Sequence, residues 1–169
     1  MTEEQIIKWI ADNLGPIMRK VINVESPVIY TEDWLGAICC RETGGLINGY
    51  AEKGLNLESI SELMRGDYTK RKGETQKQYH GFSFWQIDIN SYPQFVTSGQ
   101  WKDPYISCLK AINVLESKRK YLQAKFKTLM GEELERAITA AYNCGEGNVS
   151  KTIPFDDIDD LDNYTTGKN

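Results

Sequence analysis

The 169-residue chain has one histidine, four cysteines and five prolines, and each scarcity removes a class of function. Cys39, Cys40, Cys108 and Cys144 form no C-x-x-C, and His80 lies far from all of them in sequence. A zinc site, which needs Cys and His ligands at short spacings, therefore has no support, and no metal or cofactor is expected. An adjacent pair among four cysteines is also no framework for a disulfide-stapled mini-protein, so buried free thiols are expected. Positive charge is in deficit. Twenty Lys and Arg against 24 Asp and Glu leave a net charge of −4. That balance argues against nucleic-acid binding and gives no overall attraction to an anionic surface such as a bacterial wall. No apolar run reaches the length of a membrane span. The start, Met1-Thr2-Glu3-Glu4-Gln5, lacks the basic-then-apolar order of a secretory signal.

Aromatics are plentiful, with nine Tyr, four Trp and five Phe. A length of 169 residues suits one well-buried domain with a small appendage. Thr2 and Gln5 match a capping box, and Ile6, Ile7, Ile10 and Leu14 follow at helical spacing until Gly15-Pro16 interrupts. A second short helix is predicted over 17–24, and Ser26-Pro27 opens a connection. Thr31 is a plausible cap for the next helix. Leu57, Ile60, Leu63 and Met64 make a short amphipathic helix after a loop over 46–56. The stretch 65–79 is polar, charged and glycine-punctuated, and reads as a long surface loop, a kind of segment that is more often functional than accidental. His80 to Ile89 alternates aromatic with small or polar residues, as in a short strand or extended turn. Asp103-Pro104 is a strong helix start, and the helix it opens runs to about Phe126, with Cys108, Ile112, Leu115 and Leu122 inward. Another helix is predicted over 132–142, stopped by Gly145 and Gly147. The acidic tail 156–169 is expected to be loosely held. The sum is mainly α with one small extended or β region.

Glu42 stands out within Trp34-Leu35-Gly36-Ala37-Ile38-Cys39-Cys40-Arg41-Glu42-Thr43-Gly44-Gly45. Trp34, Leu35, Ile38 and Cys39 share one helical face, and Gly44-Gly45 is predicted to end the helix. A carboxyl on the last turn of an apolar helix resists ionising, because its neighbours are apolar and the helix C-terminus is partially negative. Such a group can hold a proton near neutral pH and act as a general acid. The plain alternative is a Glu at a frayed helix end, solvated or paired with Arg41.

Two further stretches join it, Gly81-Phe82-Ser83-Phe84-Trp85-Gln86-Ile87-Asp88 and Ala140-Ala141-Tyr142-Asn143-Cys144-Gly145-Glu146-Gly147-Asn148-Val149. In this order and at these separations, the three resemble the motifs of goose-type lysozymes and the related lytic transglycosylases. The family pattern is a catalytic Glu, then G-x-x-Q-[VI] with an Asp after it in the goose type, then A-Y-N-x-G-x-G-x-V. The third match is the most specific. The second departs from the pattern, since Phe84-Trp85 replaces a small apolar pair before Gln86.

The resemblance implies a lysozyme-like fold of the mainly α, α+β kind, whose small β region lines a substrate cleft, over 31–169 with a helical extension over 1–30. It implies a further helix beyond Asn163-Tyr164-Thr165, so a segment of a longer protein is one expectation. It implies cleavage of the β-1,4 bond between N-acetylmuramic acid and N-acetylglucosamine in peptidoglycan, with Glu42 protonating the leaving oxygen. Asp88 would position the attacking water, and Asp67 is a candidate for the further loop carboxylate of goose-type enzymes. Gln86, Tyr142 and Asn143 would contact the substrate or orient Glu42. Phe84, Trp85, Tyr79 and Trp101 are candidates for stacking on sugar rings, and His80 lies beside them. Each has a plainer alternative: Asp88 as a turn cap, Gln86 as a buried amide, Asn143 as an ordinary helix-terminal residue, the aromatics as core, His80 as a surface or loop histidine. If Asp88 took no part, the muramic acid 6-hydroxyl would attack instead, giving 1,6-anhydro products. A non-catalytic module binding glycan or protein is the alternative from another class. The expected partners are peptidoglycan strands and an immunity or inhibitor protein, the expected state is a monomer, and the route to the wall is export without a signal peptide or release by lysis.

Overall fold

The computed structural model describes residues 1–25 and 30–153. The Ser26-Pro27 connection and the acidic tail lie outside them. The described chain is mainly helical with a small antiparallel sheet, as expected. It divides into two compact units, 1–111 and 112–169.

In the first unit, α1 (Glu3–Asn13) begins with the predicted capping box: the Gln5 N–H donates to the Thr2 hydroxyl and the Thr2 N–H to the Gln5 side chain. Leu14 separates it from α2 (Gly15–Glu25). α3 (Glu32–Ala51) is capped by Thr31, whose hydroxyl accepts from the Trp34 N–H at 3.1 Å. Contrary to expectation, α3 does not stop at Gly44-Gly45 but runs on through the predicted loop. The reason is packing. Gly44 is buried against α1, with the Ile6 side chain at ordinary contact distance from where a Cβ would sit, so packing on α1 outweighs the low helix propensity of the glycine pair. The left-handed glycine that follows the helix is Gly54, at φ 75.

α4 (Leu57–Leu63), capped by Asn56, leads into the sheet. The stretch 65–79 is not a loop throughout. It holds β1 (Arg65–Thr69) and the start of β2 (Gln78–Phe82), an antiparallel hairpin in the register Gly66 opposite Gly81 and Tyr68 opposite Tyr79. β3 (Ile87–Asp88) returns against β2, with Phe82 opposite Ile87. A short α5 (Pro93–Thr97) and a 3₁₀ turn (Gln100–Lys102) follow. α6 (Pro104–Lys125) starts as predicted, the Asp103 carboxylate accepting from the Tyr105 and Ile106 N–H groups.

The second unit holds the remainder of α6, then α7 (Gly131–Cys144) and α8 (Glu146–Thr152) packed on α7. Gly145, at φ 83, ends α7 as predicted. Gly147 does not act as a stop, because it lies inside α8. No described helix is long and apolar enough to cross a membrane.

Candidate active site

Glu42 lies in the middle of α3, one turn beyond Ile38 and Cys39, which are 5% and 0% exposed. The helix C-terminus therefore has no part in its electrostatics, which corrects the dipole argument. Burial among the apolar side chains remains, and it pushes the carboxyl above its ordinary range, with Arg41 partly offsetting the rise. Among the described residues no hydrogen-bond donor meets the Glu42 carboxyl.

Its neighbour Thr43 joins α3 to the sheet. The buried Thr43 hydroxyl lies 2.9 Å from the carbonyl oxygens of both Cys39 and Phe84, donating across from the helix to the β2–β3 turn. Trp85 makes a second tie, its indole N–H donating to the Leu35 carbonyl at 3.0 Å. These bonds dock Ser83–Gln86 beside the segment that carries Glu42. They also settle the aromatics. Phe84 and Trp85 are 1% and 0% exposed, so neither ring can stack on a sugar; both are core. Trp101 is likewise buried, edge-on to Phe82 at 5.3 Å. Tyr79 is exposed, 4.8 Å from Tyr68 ring to ring, with the Arg65 guanidinium over its face.

The turn itself is unusual. Ser83 and Gln86 adopt left-handed backbone, at φ 72 and 48. Gly81 stands five residues before Gln86, so the glycine of the G-x-x-Q pattern is replaced by Ser83, in a conformation glycine takes without penalty. Gln86 then folds back over the hairpin. A Cβ on either Gly66 or Gly81 would lie 2.2 Å from the Gln86 Oε1, so the paired glycines clear the floor on which that amide rests. Its Nε2 donates to the Ser83 carbonyl.

Asp88 and Asp67 are held together by Arg71, a residue the sequence reading did not single out. One Arg71 nitrogen donates to the Asp88 Oδ2 at 2.5 Å and another to the Asp67 Oδ2 at 2.8 Å. Asp88 also accepts the Ser91 N–H at 2.9 Å, so it does cap the turn, and this does not exclude a second role. Burial alone would raise Asp88, but the Arg71 and Ser91 hydrogen bonds outweigh it and leave the carboxyl below its ordinary range. Hydrogen bonding to Arg71 lowers Asp67 in the same way. Asp67 adopts φ 50, out of line with its strand.

His80 is not a surface histidine. Its side chain is 0% exposed, shielded by its own hairpin, with Nε2 2.7 Å from a Glu74 carboxylate oxygen and Nδ1 3.0 Å from the Asp67 carbonyl. Direct contact with a substrate is therefore closed to it. The Glu74 bond raises the His80 pKa despite the shielding. Glu74 is pulled down to about 2, first by the Arg71 backbone N–H and then by His80. His80 and Glu74 thus brace the loop from which Arg71 reaches both aspartates.

Tyr142 and Asn143 sit near the C-terminal end of α7 in the second unit, Tyr142 half-buried and Asn143 exposed. A cavity of about 690 Å³ in the first unit lies among α1, α2 and α3, and its lining includes Ile7, Ala37, Cys40 and Arg41 but not Glu42. No described group of three or more His, Cys, Asp or Glu is placed to hold a metal ion. No family model, curated protein or solved structure matches the chain.

Proposed function

We propose that the protein is a peptidoglycan hydrolase that cleaves the β-1,4 bond after N-acetylmuramic acid, with Glu42 as general acid. The observation that carries this reading is a division among carboxyls. Glu42 is desolvated, without a donor among the described residues, and shifted up, whereas Asp88 and Asp67 are hydrogen-bonded by Arg71 and shifted down. A proton-holding acid and an ionised partner are what glycoside hydrolysis requires of two carboxyls. In this reading Glu42 protonates the glycosidic oxygen as the bond to the anomeric carbon breaks, and Asp88 accepts a proton from the water that attacks that carbon. Gln86, folded over Gly66 and Gly81, keeps the sugar-contacting role that the motif resemblance suggests.

A lytic transglycosylase is the second reading, favoured by one observation: Arg71 and the Ser91 N–H already occupy both oxygens of Asp88. Glu42 would then act alone, and the muramic acid 6-hydroxyl would replace water. Digestion of purified peptidoglycan by wild type and Glu42→Gln, with products weighed by mass spectrometry, tests both. Reducing ends that vanish in the variant support hydrolysis. Products one water lighter support the transglycosylase. Unchanged digestion by Glu42→Gln would remove Glu42 from either mechanism.

A further inference from the structure

Residues 65–79 carry five Lys or Arg against two Asp or Glu, in a chain whose net charge is −4. Pairing within the hairpin makes the imbalance sharper. Arg71 is consumed by Asp67 and Asp88, and Glu74 is consumed by His80 and the Arg71 backbone. That leaves Arg65, Lys70, Lys72 and Lys77 exposed, with no ion-pair partner among the described residues. Between these cations stand Tyr68 and Tyr79, 56% and 38% exposed and side by side across the strands. Two tyrosines presented to water at adjacent positions leave apolar ring area uncovered, and the surrounding charge is of one sign.

The position of this patch gives it a direction. Tyr79 and Gly81, two residues apart, share a face of β2, and their β1 partners Tyr68 and Gly66 meet the Tyr79 ring and the Gln86 amide with them. The Gln86 amide lies on those glycines, and its turn is bonded to Thr43, next to Glu42. A strand laid along the hairpin therefore runs from the cationic tip past the tyrosines to the Gln86 turn.

We propose that the hairpin 65–82 is a docking prong for a carboxylate-bearing glycan strand, its lysines meeting the carboxylates and its tyrosine pair the sugar faces. The polymer's identity rests on the hydrolase reading; the surface itself does not. Continuity with Gln86 and Glu42 favours a glycan over a nucleic acid as the polyanion. Local charge thus supplies an attraction to an anionic wall that the net charge denies, and such attraction weakens as salt screens it.

The test uses the full chain carrying Glu42→Gln, so that binding is read without turnover. Sedimentation with purified peptidoglycan sacculi is compared before and after adding K70E/K72E/K77E, with thermal melts checking that each variant is folded. The expected result is binding that declines with added salt and falls roughly tenfold or more in the triple reversal at low salt. Sacculi whose carboxylates have been amidated should lose binding to a similar degree. Failure of the parent to bind sacculi, equal binding by the folded triple variant, or unchanged binding to amidated sacculi would each overturn the proposal. So would a loss confined to single-stranded oligonucleotides, which would assign the prong to nucleic acid. Absence of wall cleavage by the wild type, with hairpin-dependent binding retained, would defeat the hydrolase reading and leave the docking surface standing.

Discussion

Glu42 combines two properties that pull against each other. A carboxylate desolvated on an apolar helix face weakens the folded state whenever it is ionised. Its folded pKa is raised, so whatever stability its protonated form contributes is present below the ordinary carboxyl range and lost as pH rises through the folded value. Glu42→Gln should therefore melt at the same temperature as wild type or roughly 1–3 °C higher at pH 7, with the difference shrinking in acid. The same variant should lose about 10²–10⁴-fold in wall cleavage, the range for removal of a general acid. Arg41 lowers the Glu42 pKa, so Arg41→Gln should move the alkaline limb of the rate–pH profile to higher pH. An unmoved limb would mean that a different group sets it. The residue scale was also the most legible in sequence. The apolar spacing around Glu42 was enough to argue desolvation, because helical periodicity already places Ile38 and Cys39 on its face. The misjudged part was Gly44-Gly45: glycine's propensity favours a helix stop, yet both residues lie inside α3, where packing against α1 carries the helix on.

At the scale of elements, the hairpin is a lattice of fixed charges around Arg71. Arg71→Gln removes the bonds that hold Asp88 down, so the Asp88 pKa should rise. If ionised Asp88 activates water, the acid limb of the rate profile should move to higher pH by an amount that Arg71→Lys partly restores. Under the transglycosylase mechanism that limb should stay where it is. The His80–Glu74 pair gives a separate pH signature. Glu74, depressed to about 2, contributes fully above its ordinary 4.5 and fails as pH falls through 2. His80, raised, contributes fully below its ordinary 6.5 and fails as pH rises through its folded value. Hydrogen exchange of the hairpin amides should accordingly be slowest between about pH 4.5 and 6.5 after correction for intrinsic rates, and His80→Gln should flatten that dependence. Little of this could be read in advance. β1 is exposed along nearly its whole length and β2 is buried only from His80 onward, so neither shows a period-two burial pattern, and the ion pairs depend on a register that the sequence does not display. The glycine pair is testable in the same element. Alanine at Gly66 must displace the far end of the Gln86 side chain, so its loss of activity should match that of Gln86→Ala and should not add to it in the double variant.

For the whole molecule, apolar spacing and turn signals predicted the class correctly, mainly helix with a small sheet, and no described helix is long and apolar enough to cross a membrane. The two compact units divide inside α6, where periodicity continues without a break. Net charge was informative in bulk and misleading locally. A pI of about 5.1 predicts a solubility minimum near that pH, measurable by light scattering. It gives no hint that 65–79 carries an excess of the opposite sign, since an average over 169 residues conceals a cluster in fifteen.

The indole of Trp85 turns this architecture into something that can be watched. Its N–H belongs to the sheet's turn and its acceptor, the Leu35 carbonyl, to α3, so a single proton joins that turn to the helix that carries Glu42. In a nitrogen–proton spectrum that proton has a resolved resonance of its own, away from the backbone amides. Its lifetime in heavy water is a clock for the detachment of turn from helix. A glycan that engages the turn should slow the clock, and a variant that loosens Thr43 should speed it, with no need to observe the reaction at all.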